Sequence, residues 1–370
     1  MNISYFMPAR VITGKGVVSG GAFDISQFGK RCLIATGNSS AKKSGALRDV
    51  VKLLEDSNVE FTVYDKISQN PTVFSCIEAA EKADDFGAEF IIGIGGGSPL
   101  DASKAIAVLA GNRGMSEEVL YSLKWENDPL PVIAVGTTAG TGSEVTPVAV
   151  LTNSKGLKKS IRDDRIYPAL SLGDPTYTLS LPDRITRSTA IDAFAHCVES
   201  FFNKSANDIS KTFALRGTKM LVDIFKKINE SGTASLTFED RETLYNASIY
   251  GGLAISVTGT AFPHALGYFL SEAHDVPHGT ACAVFLPAFI EWSIGCMPSL
   301  AEEFFKGICS EKSELLSLIK AVTPEINVTV SDEERKELYP RWIGNRGLKK
   351  TWGDITPEYV DLLIKDLFGE

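Results

Sequence analysis

The sequence predicts an α/β N-terminal domain built on a doubly wound parallel sheet, over about residues 1–180. An all-α C-terminal domain over about residues 181–370 follows it. Two patterns carry this reading. Through the first half, short and continuously apolar runs alternate with amphipathic stretches, as in parallel strands buried on both faces and joined by helices. After Leu181-Pro182-Asp183 that alternation stops and helical periodicity takes over. A length of 370 residues suits two domains of ordinary size.

Arg31–Thr36 (RCLIAT) reads as the first buried strand, ending at Gly37, with an amphipathic helix over Ser44–Asp56. Glu60–Tyr64 (EFTVY) is the next strand, and a helix follows at about Thr72–Asp85. Glu89–Ile94 (EFIIGI) runs into a glycine cluster, and a helix spans about Pro99 to Ala110. Pro131–Val135 (PVIAV) is a further strand that ends in a turn of small residues. Ligands of such sheets sit at the carboxyl ends of the strands. In the second half Lys211–Ile228 and Thr280–Trp292 carry clear helical periodicity.

Composition narrows the function. Hydrophobic residues at 44% and charged residues at 22% exclude disorder, a collagen-like repeat and a small disulfide scaffold. A net charge of −9 argues against a sequence-independent grip on nucleic acid, which needs a basic field. The six cysteines lack zinc-knuckle or redox spacing, and Cys32 and Cys282 lie in apolar runs, so they read as buried small hydrophobes in a reducing cytosol. Neither a signal peptide nor a run near the roughly 18 apolar residues of a membrane helix is seen. A cytoplasmic protein without membrane or nucleic-acid partners is expected.

Three strand-to-helix turns are candidate ligand contacts. Gly93-Ile-Gly95-Gly96-Gly97-Ser98-Pro-Leu-Asp101 opens a helix, where close backbone approach and the helix N-terminus suit a phosphate. It fits neither G-x-G-x-x-G nor a P-loop. Gly136-Thr137-Thr138-Ala-Gly-Thr-Gly-Ser-Glu-Val-Thr146 is dense in small hydroxyl residues that can hydrogen-bond a polar ligand. Thr36-Gly37-Asn38-Ser39-Ser40-Ala-Lys42-Lys43 lacks the acidic residue that takes a free ribose hydroxyl, so it favours NADP over NAD.

The chain has only four histidines: His196, His264, His274 and His278, all in the helical half. Asp192 and His196 are four apart on a helical stretch and share one face, so they can share one ion. A histidine and aspartate set without thiolate suits Fe²⁺, Zn²⁺, Mn²⁺ or Co²⁺ and does not choose among them. Glu199 falls on a neighbouring face, toward solvent or behind a ligand.

Taken in order, Gly95-Gly-Gly-Ser-Pro-Leu-Asp101, Thr137–Thr146, Asp192-Ala-Phe-Ala-His196, Pro263-His-Ala-Leu-Gly267 and Pro277-His-Gly279 resemble the iron-containing (group III) alcohol dehydrogenase family. Thr36–Lys43 and His264–Tyr268 look most like its NADPH-dependent butanol and propanediol dehydrogenase branch. The resemblance implies a divalent metal, Fe²⁺ first and Zn²⁺ as the alternative, on Asp192, His196, His264 and His278. It implies pyrophosphate contacts at Gly95, Gly96, Gly97 and Ser98 with Asp101 beside them. Nicotinamide and ribose contacts fall on Thr137, Thr138, Thr146 and Lys159, with Asn70 near the adenosine. The 2′-phosphate of NADP(H) would meet Gly37, Ser39 and Ser40. Many members have a second histidine four residues after the third ligand, where this chain has Tyr268; His274 is then the candidate proton donor.

The implied activity is reversible hydride transfer between NADP(H) and a small primary alcohol or aldehyde, by a homo-oligomer. A metal- and NAD-using lyase of the dehydroquinate-synthase type is the rival, with glycerol-dehydrogenase-like polyol oxidation beside it. A lyase holding a phosphorylated, polyhydroxy substrate would want Lys and Arg near the metal motifs; Phe194, Phe262 and Phe269 stand there instead. A catalytically dead nucleotide-binding module leaves the complete ligand set unexplained.

Overall fold

The computed structural model describes residues 3–21 and 23–369. Six strands pair in parallel: β1 (Arg10–Thr13), β2 (Arg31–Thr36), β3 (Glu60–Tyr64), β4 (Phe90–Gly95), β5 (Val132–Gly136) and, last in the chain, β8 (Leu170–Gly173). Between the last two, β6 (Val148–Thr152) and β7 (Lys158–Arg162) form an antiparallel hairpin. The main sheet has the order β1-β8-β5-β4-β2-β3. The chain crosses from β3 back over β2 to β4 and then continues the other way, which opens a crevice between the carboxyl ends of β2 and β4.

Alternation along the buried strands divides their side chains between two cores. Cys32 and Ile34 of β2 pack with Val50 and Leu54 of the helix Ala46–Asp56 on one face. Leu33 and Ala35 pack on the other with Cys76, Ala79 and Ala83 of the helix Val73–Phe86 and Ala102 and Ile106 of the helix Gly97–Gly111. The expected helix over Ser44–Asp56 is present as Ala46–Asp56; a short helix, Ser40–Ser44, precedes it and ends at Gly45, whose φ of 87° only glycine adopts freely. β1, β8 and the hairpin are additions to the expected strands.

From Asp183 on, the described chain is helical apart from short connections. Asp183–Phe201, Asp208–Ser231 and Phe238–Thr258 pack together around Phe194, Phe201, Phe202 and Phe225, all fully buried. Phe262–Ala273 and His278–Ala283 lie against the first of these. The expected helix over Thr280–Trp292 is two, His278–Ala283 and Leu286–Cys296. The stretch His278–Cys296, with mean hydropathy 1.4, is long and apolar enough to cross a membrane by length and composition alone, but it breaks between Ala283 and Leu286 as a core segment can. Over half of it is packed inside the protein.

The threonine-rich turn after β5 joins the two halves. A Cβ on Gly142 would lie 2.5 Å from the Gly252 Cα, and one on Gly140 would lie 2.7 Å from the Thr189 Cβ. Only hydrogen fits where the turn meets the helices Phe238–Thr258 and Asp183–Phe201. The Tyr245 hydroxyl also donates to Glu144 Oε1 at 2.9 Å across this seam.

Candidate metal centre and cofactor cleft

Asp192 and His196 project from one face of the helix Asp183–Phe201, with His196 Nε2 3.9 Å from Asp192 Oδ1. His264 enters from the first turn of Phe262–Ala273, where Pro263 suits a helix start, and its Nε2 lies 3.5 Å from the same oxygen. His278 begins the helix His278–Ala283. A Cβ on Gly279 would collide with the Ser188 carbonyl and lie 2.7 Å from the Asp192 Cβ, so glycine lets this turn press onto the Asp192 helix. The rings of His196 and His264 stack at 4.6 Å, and His264 meets His278 edge-on at 5.2 Å.

Asp192 Oδ1, His196 Nδ1 and His264 Nε2 are buried without a hydrogen-bond partner. Orphaned donors and acceptors are costly unless another group satisfies them, and a carboxylate ringed by imidazoles is what a divalent cation supplies a reason for. These residues fit a metal ion. Burial opposes the charge on Asp192, but His196, His278 and His264 outweigh it and hold the carboxyl well below its usual range. Burial pushes His278 down to about 3 and lowers His196 as well, which leaves both rings neutral with a lone pair to offer. Burial works against protonating His264, yet Cys282, Glu199 and Asp192 together raise it.

Two more residues belong to this centre: Glu199, which takes the second of its two expected places, behind a ligand, and Cys282, which the sequence reading did not select. Glu199 is fully buried; one oxygen pairs with His264 Nδ1 and the other accepts from the Ala261 amide at 2.5 Å. A carboxylate behind a ligating imidazole fixes its ring and tautomer. Cys282, one turn after His278, brings its sulfur into the same group, so that one donor atom each from Asp192, His264, His278 and Cys282 lies within 4.8 Å of the others. Its i,i+4 spacing from His278 is the signal used for Asp192 and His196, hidden here by an apolar run.

His274 does not join them. Its Nε2 is 2.8 Å from Glu334 Oε1, so it clamps the end of Phe262–Ala273 to the helix Asp332–Leu338. The group over His278 is Tyr268, stacked at 5.7 Å.

The turns expected to hold the cofactor converge at the crevice. Gly96 and Gly97 start the 15-residue helix Gly97–Gly111 with no side-chain cap, which leaves its first amides available to an anion. Gly95 has a φ of 154° and packs on Pro99. Cβ atoms on Gly96 and Gly97 would lie 3.0 Å and 2.6 Å from Thr138 Oγ1 and Thr141 Cγ2, so the two turns form one surface. The Thr137 amide donates to the Gly95 carbonyl at 2.8 Å. The Asn70 amide donates to Ser98 Oγ at 3.3 Å, which places Asn70 beside this helix start. Gly37 follows β2 beside the Ile67 carbonyl, and Ser39 and Ser40 are exposed at the start of Ser40–Ser44.

Three expected contacts are placed differently. Asp101 is engaged internally: Ser143 Oγ donates to it at 2.6 Å, the Val150 amide at 2.8 Å, and the buried Lys104 ammonium is 3.8 Å away. Thr146 is buried beside the same lysine. Lys159 is exposed, its ammonium 4.2 Å over the Tyr121 ring. Hairpin alternation explains this, since Lys159 shares a face with Leu151 and Ile161, which pack on the sheet domain. Lys158 takes the opposite face and is the lysine brought to the cleft, over the Tyr268 ring at 5.6 Å; burial lowers its pKa.

Residues 8–175 match the family described as iron-containing alcohol dehydrogenase, and residues 186–323 match the C-terminal part of the Fe-containing alcohol dehydrogenase family. Alcohol dehydrogenase 4 of Schizosaccharomyces pombe is 30% identical over 284 residues, 76% of this chain and 67% of that protein. The 1,3-propanediol dehydrogenase of Citrobacter freundii is 31% identical over 288 residues, 74% and 73% of the two chains. Among solved structures, an iron-containing alcohol dehydrogenase from Thermotoga maritima superposes with a TM-score of 0.90 at 32% identity over 99% of both chains. The chain belongs to the iron-containing alcohol dehydrogenase family, oxidoreductases that work with a metal ion and a nicotinamide cofactor.

Proposed function

We propose that this protein is an NADP(H)-dependent, metal-dependent dehydrogenase that interconverts small primary alcohols and aldehydes of the butanol or propanediol type. The observation that carries the reading is the buried set of unpartnered donors on Asp192, His196 and His264, with His278 beside them, within a fold whose glycine and threonine turns line the crevice. The relationship to a 1,3-propanediol dehydrogenase supports the substrate class. The α/β domain over about residues 1–180 would hold the cofactor, and the helical domain from 181 the metal. Six free cysteines, four of them buried, suit a cytoplasmic enzyme.

A bound divalent ion would act as a Lewis acid toward the aldehyde or alcohol oxygen. Asp192, His196, His264 and His278 would hold it, and Glu199 keeps the His264 ring in register. The uncapped amides at Gly96 and Gly97 would take the pyrophosphate. Lys158 carries a cation to the cleft face of the hairpin, where it can meet the cofactor ribose or the substrate oxygen. Ser39 and Ser40, exposed beside Lys42 and Lys43, support a 2′-phosphate. Lys42 already pairs with Asp65 at 2.7 Å, so Lys43 and the hydroxyls would carry most of that contact.

The test is NADPH oxidation by protein loaded with Fe²⁺ or Zn²⁺ and given butanal, propanal or 3-hydroxypropanal. Loss of the NADPH absorbance is expected. No loss with any metal and aldehyde overturns the reading, and equal or better turnover with NADH overturns its cofactor half.

A further inference from the structure

We infer that Cys282 is a further ligand of the bound ion, beside Asp192, His196, His264 and His278, and that the thiolate makes the site prefer Zn²⁺ or Co²⁺ over Fe²⁺. This rests on the metal-dependent reading above and names which ion that site takes.

The arrangement points to the sulfur in three ways. One donor atom from each of Asp192, His264, His278 and Cys282 lies within 4.8 Å of the other three, and His196 Nε2 reaches the same Asp192 oxygen at 3.9 Å. Cys282 is fully buried, yet its sulfur is 3.8 Å and 3.9 Å from the two ring nitrogens of His278. Independently, Asp192 Oδ1 and His264 Nε2 have no hydrogen-bond partner in the same space. A cysteine serving only as a small hydrophobe has no reason to face a carboxylate and two imidazoles, of which Asp192 Oδ1 and His264 Nε2 lack a partner. The i,i+4 spacing of His278 and Cys282 puts both donors on one side of the helix His278–Ala283, as the spacing of Asp192 and His196 does on theirs.

Donor chemistry then sets the preference. Carboxylate and imidazole accept most first-row divalent ions, whereas thiolate is soft and favours zinc, and affinity for Fe²⁺ is weaker than for Co²⁺ or Zn²⁺ in the ordinary series. On binding, the sulfur–metal bond forms as the thiol proton leaves to solvent, and no electrons change hands.

The experiment loads the metal-free, full-length protein with Co²⁺ and records its absorption beside Cys282→Ser and Cys282→Ala. The wild type is expected to show a near-ultraviolet sulfur-to-cobalt charge-transfer band that both variants lack. A second measurement offers equal Zn²⁺ and Fe²⁺ anaerobically and determines the metals retained; the zinc-to-iron ratio should fall at least about tenfold in Cys282→Ser. Co²⁺-loaded wild type without the band overturns the assignment whether or not the variants fold. A band that persists in a variant overturns it too. Failure of the wild type to bind Co²⁺, Zn²⁺ or Fe²⁺ at all would instead sink the metal-dependent reading beneath it.

Discussion

The phenol ring of Tyr268 stacks on the imidazole of His278 at 5.7 Å, with the ring planes 13° apart. Tyr268 lies one turn after His264, so the stack ties the helix that carries one ligand to the turn that delivers another. Burial pushes its hydroxyl up to about 12, so the phenol holds its proton near neutral pH and the ring is the working part. Tyr268→Phe is expected to keep the metal and stay within about threefold of wild-type turnover. Tyr268→Ala should weaken metal binding by about fivefold to tenfold, the size of a lost aromatic stack. Metal titration and kcat of both variants check this; a Tyr268→Phe enzyme that keeps its metal and loses turnover would give the hydroxyl a chemical role.

Glu199 is the next lever. It accepts from His264 Nδ1 and from the Ala261 amide, so Glu199→Gln keeps the size of the side chain but removes the carboxylate that fixes the imidazole. Partners behind a metal ligand typically cost about tenfold to a hundredfold in affinity when lost. Competition with a chelator should show that loss in Glu199→Gln, with circular dichroism unchanged.

The hairpin gives a paired test. Lys158 and Lys159 are neighbours in sequence and occupy opposite faces, one toward Tyr268 and the other over Tyr121. Lys158→Met is expected to raise the KM for cofactor or aldehyde about tenfold or more, the loss of one charged hydrogen bond. Lys159→Met should leave both within about twofold. Steady-state kinetics on the two variants decide it, and the reverse ranking would restore Lys159 to the cleft.

Cofactor choice is best tested at Ser39. Gly37 directly follows β2, where an acidic side chain would take a free ribose hydroxyl, yet a Cβ there would sit 3.1 Å from the Ile67 carbonyl oxygen. Ser39 is exposed at the cap of the helix Ser40–Ser44, where an aspartate suits both the helix and a ribose hydroxyl. Ser39→Asp should shift the ratio of kcat/KM for NADPH over NADH toward NADH by at least about tenfold, through repulsion of the 2′-phosphate. An unchanged ratio would place that phosphate elsewhere.

These residues also mark what the sequence made readable. β2, β4 and β5 were legible as apolar runs ending in a turn, and β3 by its β-branched and aromatic residues, Phe61, Thr62, Val63 and Tyr64. β1 and β8 are four-residue strands, too short to carry a period. The Asp192 and His196 pair was legible because one helix sets their relation. For Glu199 the sequence left solvent and a place behind a ligand both open, since its partner lies 65 residues away on another helix. Lys158 could be told from Lys159 only once the hairpin register was known, and Asp101 looked like a ligand contact until Ser143, Val150 and Lys104 were found around it.

That last cluster yields a pH prediction. Lys104 has no solvent exposure; its ammonium donates to Ser143 Oγ at 2.7 Å and to the Val148 carbonyl at 2.8 Å. Burial lowers its pKa to about 8, with Asp101 and Glu144 opposing the shift. Between about 8 and the ordinary lysine value of 10.5 the unfolded chain therefore binds more protons at this position than the folded one. Stability from this group rises with pH through that window and is level below it. Lys104→Met removes the titration together with two hydrogen bonds that tie the helix Gly97–Gly111 to the threonine-rich turn at Ser143 and to the hairpin at Val148. It should cost about 1–3 kcal/mol at neutral pH, and the gap between variant and wild type should widen by roughly 2 kcal/mol from pH 8 to 10.5. Chemical denaturation of both proteins across that range measures the difference, in which groups common to the two cancel. A constant gap would mean that Lys104 titrates at its ordinary value despite its burial.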